Sequence, residues 1–519
     1  MGEQGPGLGR IATRRATDVG IIAVVLLPAL ASYHRAIDTS FAQDDITFLS
    51  RAAGLEHAGA PFRPLSAGLA FRLQYLAFGL DPRPWHVVSL LLHLLVVAGV
   101  YALGRAVAGG RTPAAVAAIL FGCSSIAFTP LHWTSGVAEL LAAVFLIGAT
   151  LLHLRARTRG QRWRWVAAGV ALLAMLSKET AAAWVLVVAV IEWQANDRRL
   201  ALRPLVPALA ATAVFGIFLA WSGRFASPER SGAYAWTLDP SAVLLNLLTY
   251  ARWSVEVWNP IRDAIAGADP LAWRVAVPAI MAAGAVHSWL RPAERATFGW
   301  GLAWWLAFVL PVLPLVHHAY LYYLYIPAIG GSLALAAATK SWLERQPGLT
   351  ARAAGLAALG AVVVMEMLNV RARETATRDS LPVDRTLRDA LLLDHSIPAL
   401  RAAGLPAGTQ VLFVSPRLRP RFDLVTGAPT RPEDAASRTS YLPLEAAMRG
   451  GETLRLFVPQ VVYAGFARTI PDSLGEAECF HFDQRGRLER WGRGPAALAR
   501  QSEVLEAKDE APVVGDAPR

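Results

Sequence analysis

The feature that most restricts this chain is a succession of apolar runs, each long enough to form a membrane-crossing helix, beginning near residue 18 and ending near residue 370. A bilayer core about 30 Å thick asks for roughly 17 to 25 mostly apolar residues per helix. By that rule the chain reads as spans at 18–37, 85–104, 113–131, 135–154, 204–222, 271–290, 297–316, 319–339 and 351–370. Two shorter runs, 164–177 and 180–193, flank Ser177-Lys178-Glu179 and bring the total to about eleven. The segment 241–258 carries Arg252 and Glu256 among apolar residues at helical spacing, which suits an amphipathic helix lying in the interface. Composition agrees: 54% of residues are hydrophobic and 17% charged, where a soluble domain carries roughly 25% charged residues.

A formal charge of +11 would point to nucleic acid in a soluble protein. Here the basic residues stand in short loops between apolar runs: Arg10, Arg14 and Arg15; Arg105 and Arg111; Arg155 to Arg164; Arg198, Arg199 and Arg203; Arg291 and Arg295; Lys340, Arg345 and Arg352. Short-loop arginine sets topology rather than nucleic-acid affinity, and an eleven-span count puts all these groups on one side. We therefore expect a multi-pass protein of a bacterial-type cytoplasmic (inner) membrane, with a cytoplasmic N-terminus, an extracytoplasmic C-terminus and no nucleic-acid partner. Ala29-Leu30-Ala31 resembles a signal-peptidase site, but a retained first helix is expected because many spans follow it. Cys123 and Cys479 have no neighbours at zinc or disulfide-motif spacing.

The expected organisation is a cytoplasmic segment 1–17, a transmembrane domain 18–370 with an outer loop 38–84, an extracytoplasmic α/β domain 371–500 and a disordered tail 501–519. The α/β assignment rests on strand-like runs TQVLFVSP and LRLFVPQVVYAG and on the turn signal DQRGR. The tail lacks apolar periodicity.

Chemistry concentrates on the outer face. FAQDDITFLSRAAG places Asp44 and Asp45 side by side in the first outer loop. A carboxylate whose pKa is raised by a like neighbour or by burial can serve as a general base. The plainer reading of equal weight is that one aspartate caps a helix beginning at Ile46. In LLAMLSKETAAAWV, Lys178 and Glu179 interrupt a pair of short apolar helices, and ionisable residues at membrane depth mark functional sites. The alternative is an interfacial hairpin tip with Lys178 snorkelling and Glu179 capping the next helix. The same face carries His86, Trp133, Glu139, His317 and His318. Two adjacent histidines without a third ligand make no metal site, and Tyr320, Tyr322, Tyr323 and Tyr325 read as interfacial anchors.

The ordered set Asp44-Asp45, Phe62 to Ser66 (FRPLS), Phe78 to Pro82, Trp85 to His93 (WHVVSLLLH), Ser177 to Glu179 and Tyr323 to Gly330 (YLYIPAIGG) resembles the membrane-embedded GT-C glycosyltransferases. Within that superfamily it is most similar to the protein O-mannosyltransferase-like and TMTC-like group, over roughly residues 18–375. The resemblance implies an all-α polytopic GT-C-like bundle that takes a sugar from a polyprenyl-phosphate carrier and transfers it to an extracytoplasmic hydroxyl of unidentified acceptor, using an acid of the first outer loop. Asp44 and Asp45 stand where that acid is expected. Ser89 replaces the usual Asn of the HxxN pattern, and the tail lacks tetratricopeptide repeats.

The expected site therefore has Asp44 or Asp45 as base, with inversion by a single displacement. Lys178, Arg63, His317 and His318 hold the donor phosphate, with Glu179, His86 and Glu139 in support. A Gly-rich nucleotide loop is absent from the sequence; relatives differ in their use of a divalent metal, and no metal site is assigned. Two rival readings use the same features, a polytopic transporter and an O-antigen ligase- or polymerase-like enzyme.

Overall fold

The computed structural model describes residues 7–55, 63–196, 198–199, 201–223, 236–255, 286, 292–315, 318–345, 348–378, 381–414, 447–467, 470–471, 476–483 and 486–506. The expected span 271–290 and His317 lie outside the described residues. The chain divides into two compact units: one of Met1–Asp38, Gly59–Ala70 and Arg83–Arg373, the other of Thr39–Ala58, Phe71–Pro82 and Glu374–Arg519.

The first unit is helical. Among the described residues six helices are long and apolar enough to cross a membrane: Ala16–Asp38, Pro82–Val107, Thr134–Arg159, Leu202–Trp221, Leu321–Ala338 and Arg352–Thr375. A seventh is obtained if Arg111–Cys123 and Ser125–His132, bent by 45° where they meet, count as one span. The protein is thus a multi-pass membrane protein, but the count of eleven is not confirmed. The clearest difference is the hairpin. Its helices Arg162–Ser177 and Trp184–Ala195 have 16 and 12 residues, about 24 and 18 Å at 1.5 Å per residue, short of a bilayer core about 30 Å thick. The segment read as interfacial is the helix Pro240–Val255; it exposes Leu244, Leu245 and Leu248, buries Tyr250, and Asn246 donates to the carbonyls of Leu313 and Leu315.

Small residues set how closely these helices approach. A Cβ on Gly301 would lie 2.5 Å from the carbonyl oxygen of Gly330, and one on Gly330 would lie 2.7 Å from Trp304 Cβ. The helices Pro292–Val309 and Tyr325–Arg345 therefore touch backbone to backbone, the arrangement small residues permit in membranes. That gives the IGG end of the YLYIPAIGG motif a packing role.

The second unit carries a short antiparallel pair, β1 (Thr377–Arg378) with β2 (Leu381–Pro382). Its main sheet is built from β3 (Gln410–Val414), β4 (Val462–Ala467), β5 (Glu478–Phe482) and β6 (Leu488–Gly492), in the order β4-β3-β5-β6. β3 is parallel to both neighbours and β6 runs antiparallel to β5. Central position explains the unbroken apolar run of VLFV in β3, all four residues of which are buried. Helix Arg385–Ala402 is capped by Asp384, whose carboxylate accepts from the N–H groups of Thr386 (2.9 Å) and Leu387 (3.2 Å).

Two expectations for this region are corrected. LRLF, read as strand, lies in the short helix Glu452–Phe457, and only the later VYAGFA forms β4. Residues 501–506, read as the start of a disordered tail, complete the helix Gly494–Glu506. Gln501 there accepts the N–H of Ile470 (2.7 Å), and Val504 packs on a core of Leu412, Val414, Ile470, Cys479 and Trp491. Tertiary contacts thus supply the apolar face that periodicity did not announce.

Candidate functional site

In the first unit the sequence motifs lock onto one another. Helix Arg162–Ser177 ends because Lys178 is extended (φ −151°, ψ 127°), and Glu179 then opens the 3-10 turn Glu179–Ala183. Consecutive residues in an extended stretch point apart, and here they reach different partners. Lys178 ion-pairs with Glu139, both side chains buried at 2% and 4% exposure. Its ammonium also lies 4.9 Å from the ring centre of Tyr323 and 5.3 Å from that of Tyr322, within cation–π range. Glu139 sits in the first turn of helix Val137–Arg159, where the helix dipole favours a carboxylate.

Glu179 turns to Arg63, which donates from Nε and from one terminal nitrogen, each bond 2.8 Å. This is the two-pronged geometry that a guanidinium makes best. Ser66 donates to the carbonyl of Ser177 at 2.7 Å, so FRPLS and SKE form one joint. Of the two carboxylates expected in support, Glu139 holds Lys178 and Glu179 holds Arg63. Both of these cations therefore already carry a carboxylate partner.

His318 is 8% exposed and packs edge-on against Tyr320 (4.5 Å between centres) and at a tilt against Tyr323 (5.9 Å). Trp133 meets Tyr322 edge-on at 5.8 Å. The tyrosines read as interfacial anchors prove to be structural instead. Tyr322 and Tyr323 cover Lys178, and Tyr325, fully buried, shares a 2.8 Å hydrogen bond with His93 Nδ1. His93 Nε2 meets the carbonyl of Gly122 at 3.0 Å, and His86 Nδ1 meets that of Leu131 at 2.9 Å. Both histidines are fully buried, so they join helices rather than line an open site.

In the second unit Asp44 and Asp45 open helix Asp44–Ala52. Neither caps a helix beginning at Ile46: the helix begins at Asp44 itself, and the cap position is Gln43, which makes no capping bond. Gln43 holds φ 51°, ψ −122°, a conformation that strains any residue other than glycine. The two aspartates then diverge. Asp45 is fully buried and accepts the N–H of Ala42 at 2.9 Å. Asp44 is 49% exposed and pairs with Arg449 at 3.1 Å. Arg449 also donates to Thr47 Oγ1 (2.9 Å), whose hydroxyl donates to Glu452 (2.8 Å).

Local spacing gave no sign of Arg449, Thr47 and Glu452, because Arg449 stands 405 residues from Asp44. Close by, burial pushes the Asp389 carboxyl up to about 6, against the pull of Arg385 and Arg388. Among the described residues no three His, Cys, Asp or Glu side chains converge as a metal site.

A helical membrane protein with a buried cation–carboxylate hairpin and an exposed acid in a loop-borne unit is thereby defined. Residues 63–222 match the family model of dolichyl-phosphate-mannose-protein mannosyltransferases. Protein O-mannosyl-transferase tmtc2 of Xenopus laevis is 33% identical over 118 residues, which is 22% of this chain and 14% of that protein. The resemblance to the protein O-mannosyltransferase-like and TMTC-like group, read from the motifs, therefore holds over this segment. Arg63, His86, Glu139, Lys178 and Glu179 fall inside the matched residues; Asp44, Asp45 and His318 fall outside. Among solved structures, the apo oligosaccharyltransferase of Archaeoglobus fulgidus aligns over 88% of this chain and 65% of its own, at 12% identity and TM-score 0.47. ArnT of Cupriavidus metallidurans bound to undecaprenyl phosphate aligns over 86% and 76%, at 15% identity and TM-score 0.38.

Proposed function

We propose that this chain is a membrane glycosyltransferase that moves a sugar from a polyprenyl-phosphate donor to a hydroxyl of an extracytoplasmic acceptor, with inversion at the anomeric carbon. The observation that carries the reading is the family match over residues 63–222, which takes in both halves of the Arg63–Glu179 and Lys178–Glu139 centre. In this proposal the N-terminus is cytoplasmic and the second unit is extracytoplasmic. Arginine parity supports it: whether the hairpin around Lys178 crosses the membrane twice or re-enters, Arg155 to Arg164 and Arg198 to Arg203 stay on one side.

Glycosyl transfer passes through an oxocarbenium-like state, so one group activates the acceptor while others stabilise the departing phosphate. Asp44, the more exposed aspartate, is assigned as the base that orients and deprotonates the acceptor hydroxyl. Asp45 is assigned to holding the loop. Arg63, at 17% side-chain exposure against 2% for Lys178, is the cation assigned to direct phosphate contact, and Lys178 contributes its charge from behind the tyrosine rings. His318 and His317 are the remaining donor-phosphate candidates; Glu179, Glu139 and His86 hold the framework.

The test is transfer of labelled sugar from polyprenyl-phosphate donors in membranes holding the full chain. Asp44→Asn should lower transfer about 100-fold or more, the usual scale for removing a general base, at equal insertion. Asp45→Asn should lower the amount of folded protein more than the rate per folded molecule. Unchanged transfer by Asp44→Asn refutes the assignment, and no transfer by the wild type from any donor turns the reading to a transporter.

A further inference from the structure

The cluster around Asp44 assigns a task to the C-terminal region. Loop residues Thr39–Ala58 and Phe71–Pro82 form one compact unit with Glu374–Arg519, and their joints are specific. Phe41 packs on Phe457 with ring centres 6.3 Å apart. Gln43 donates to Thr386 Oγ1 at 3.1 Å, and Arg455 donates to the carbonyl of Leu55 at 3.0 Å. At the centre of these contacts lies Arg449, bonded to both Asp44 and Thr47.

The backbone that presents Arg449 is unusual. Arg449 has φ 48°, and Gly450 and Gly451 follow at φ 59° and 92°. Three successive left-handed residues make a tight reversal, and for arginine that conformation carries strain. Gly451 has no room for a side chain, since a Cβ there would lie 2.7 Å from Tyr463 Cβ. Strained backbone thus lies on both sides of the ion pair, at Gln43 and at Arg449. A surface salt bridge adds little to stability, so the strain at both ends of this one indicates that its geometry matters more than its strength.

We propose that Arg449 is a positioning residue for Asp44: the RGG turn of the C-terminal region fixes the rotamer of the outer-loop carboxylate so that its second oxygen can meet the acceptor hydroxyl. Oδ1 is occupied by Arg449; among the described residues no other partner engages the carboxylate, so Oδ2 is left for substrate. The C-terminal region then acts as the second half of the catalytic loop. The inference rests on the glycosyl-transfer reading above.

Of the neighbouring acids, Asp45 is buried and turned to the Ala42 N–H, and Glu452 accepts from Thr47. Arg385, Arg388 and Asp389 on helix Arg385–Ala402 lie in the field of the same cluster.

The experiment uses the full chain in membranes, comparing Arg449→Ala, Arg449→Lys and Asp44→Asn for kcat and for KM for donor. Folded amount is monitored by tryptophan-fluorescence melting. Arg449→Ala should lower kcat roughly 10- to 100-fold, the range for losing a hydrogen bond to a charged group. It should leave KM for donor within about twofold, so that the loss falls on kcat. Arg449→Lys should restore part of the rate. Lost folded protein with an unchanged kcat per folded molecule would make Arg449 a mere anchor and overturn the inference; so would full activity in Arg449→Ala beside an inactive Asp44→Asn. No transfer by the wild type would overturn the glycosyl-transfer reading, and this inference with it.

Discussion

Removing one member of the buried Lys178–Glu139 pair should cost far more than removing both. Lys178→Met leaves the Glu139 carboxylate, only 4% exposed, without its cation inside a helical bundle. A stranded buried charge costs about 3–5 kcal/mol, and the lost contacts with the Tyr322 and Tyr323 rings add about 1 kcal/mol. Adding Glu139→Leu removes the stranded charge, so the double variant should regain most of the stability, with a coupling energy of about 3 kcal/mol. The assay is a double-mutant cycle read by tryptophan fluorescence during unfolding of the full chain in detergent, with sugar transfer measured on the same samples. The double variant should be stable yet transfer at least about tenfold more slowly, since the charge behind the phosphate is gone. A Lys178→Met protein as stable as the wild type would refute the buried pair. Full transfer by the double variant would refute the electrostatic role and leave Lys178 structural. Without the structure, Lys178→Ala looks like a clean test of phosphate binding; with Glu139 beneath it, the single change perturbs folding as well.

Gly330→Ala should reduce the folded fraction by about 1–3 kcal/mol, the usual scale of overpacking, because the new Cβ meets Trp304 and the Gly301 backbone. Gly331→Ala, whose Cβ would have its nearest neighbour at 3.7 Å, should be nearly neutral in the same melt, and equal effects would refute the close crossing. Asp389 supplies a pH test. Burial raises its folded pKa from 3.8 to about 6, so the folded state holds the proton more tightly and its stabilising share is present below pH 4. That share is lost as pH rises through 6. Asp389→Asn should flatten this fall and add up to about 3 kcal/mol at neutral pH, two units at about 1.36 kcal/mol each. An unchanged pH slope of unfolding in the variant would refute it.

Much of the fold was legible because a bilayer reads a local property. Twenty or so apolar residues in a row make a helix wherever they fall, and the described helices coincide with the expected runs outside 271–290. At the hairpin the same rule leaves the count open, because helices of 16 and 12 residues are shorter than a span asks. In the second unit, VLFV announced a strand, and the sheet order explains its unbroken apolar run by a central position. LRLF carried a similar signal and became helix, since a short apolar run does not distinguish the two.

At the candidate site the sequence determined which residues carry charge in places where charge is costly: Asp44, Asp45, Lys178 and Glu179 stood out from their apolar or loop surroundings. Tertiary structure alone decided their partners. Glu179 found Arg63 116 residues away, Lys178 found Glu139 39 residues away, and Asp44 found Arg449 405 residues away. Periodicity and capping rules reach a few residues along the chain, whereas an ion pair depends on distance in space, and only the packing of helices and sheet brings such residues within about 3 Å.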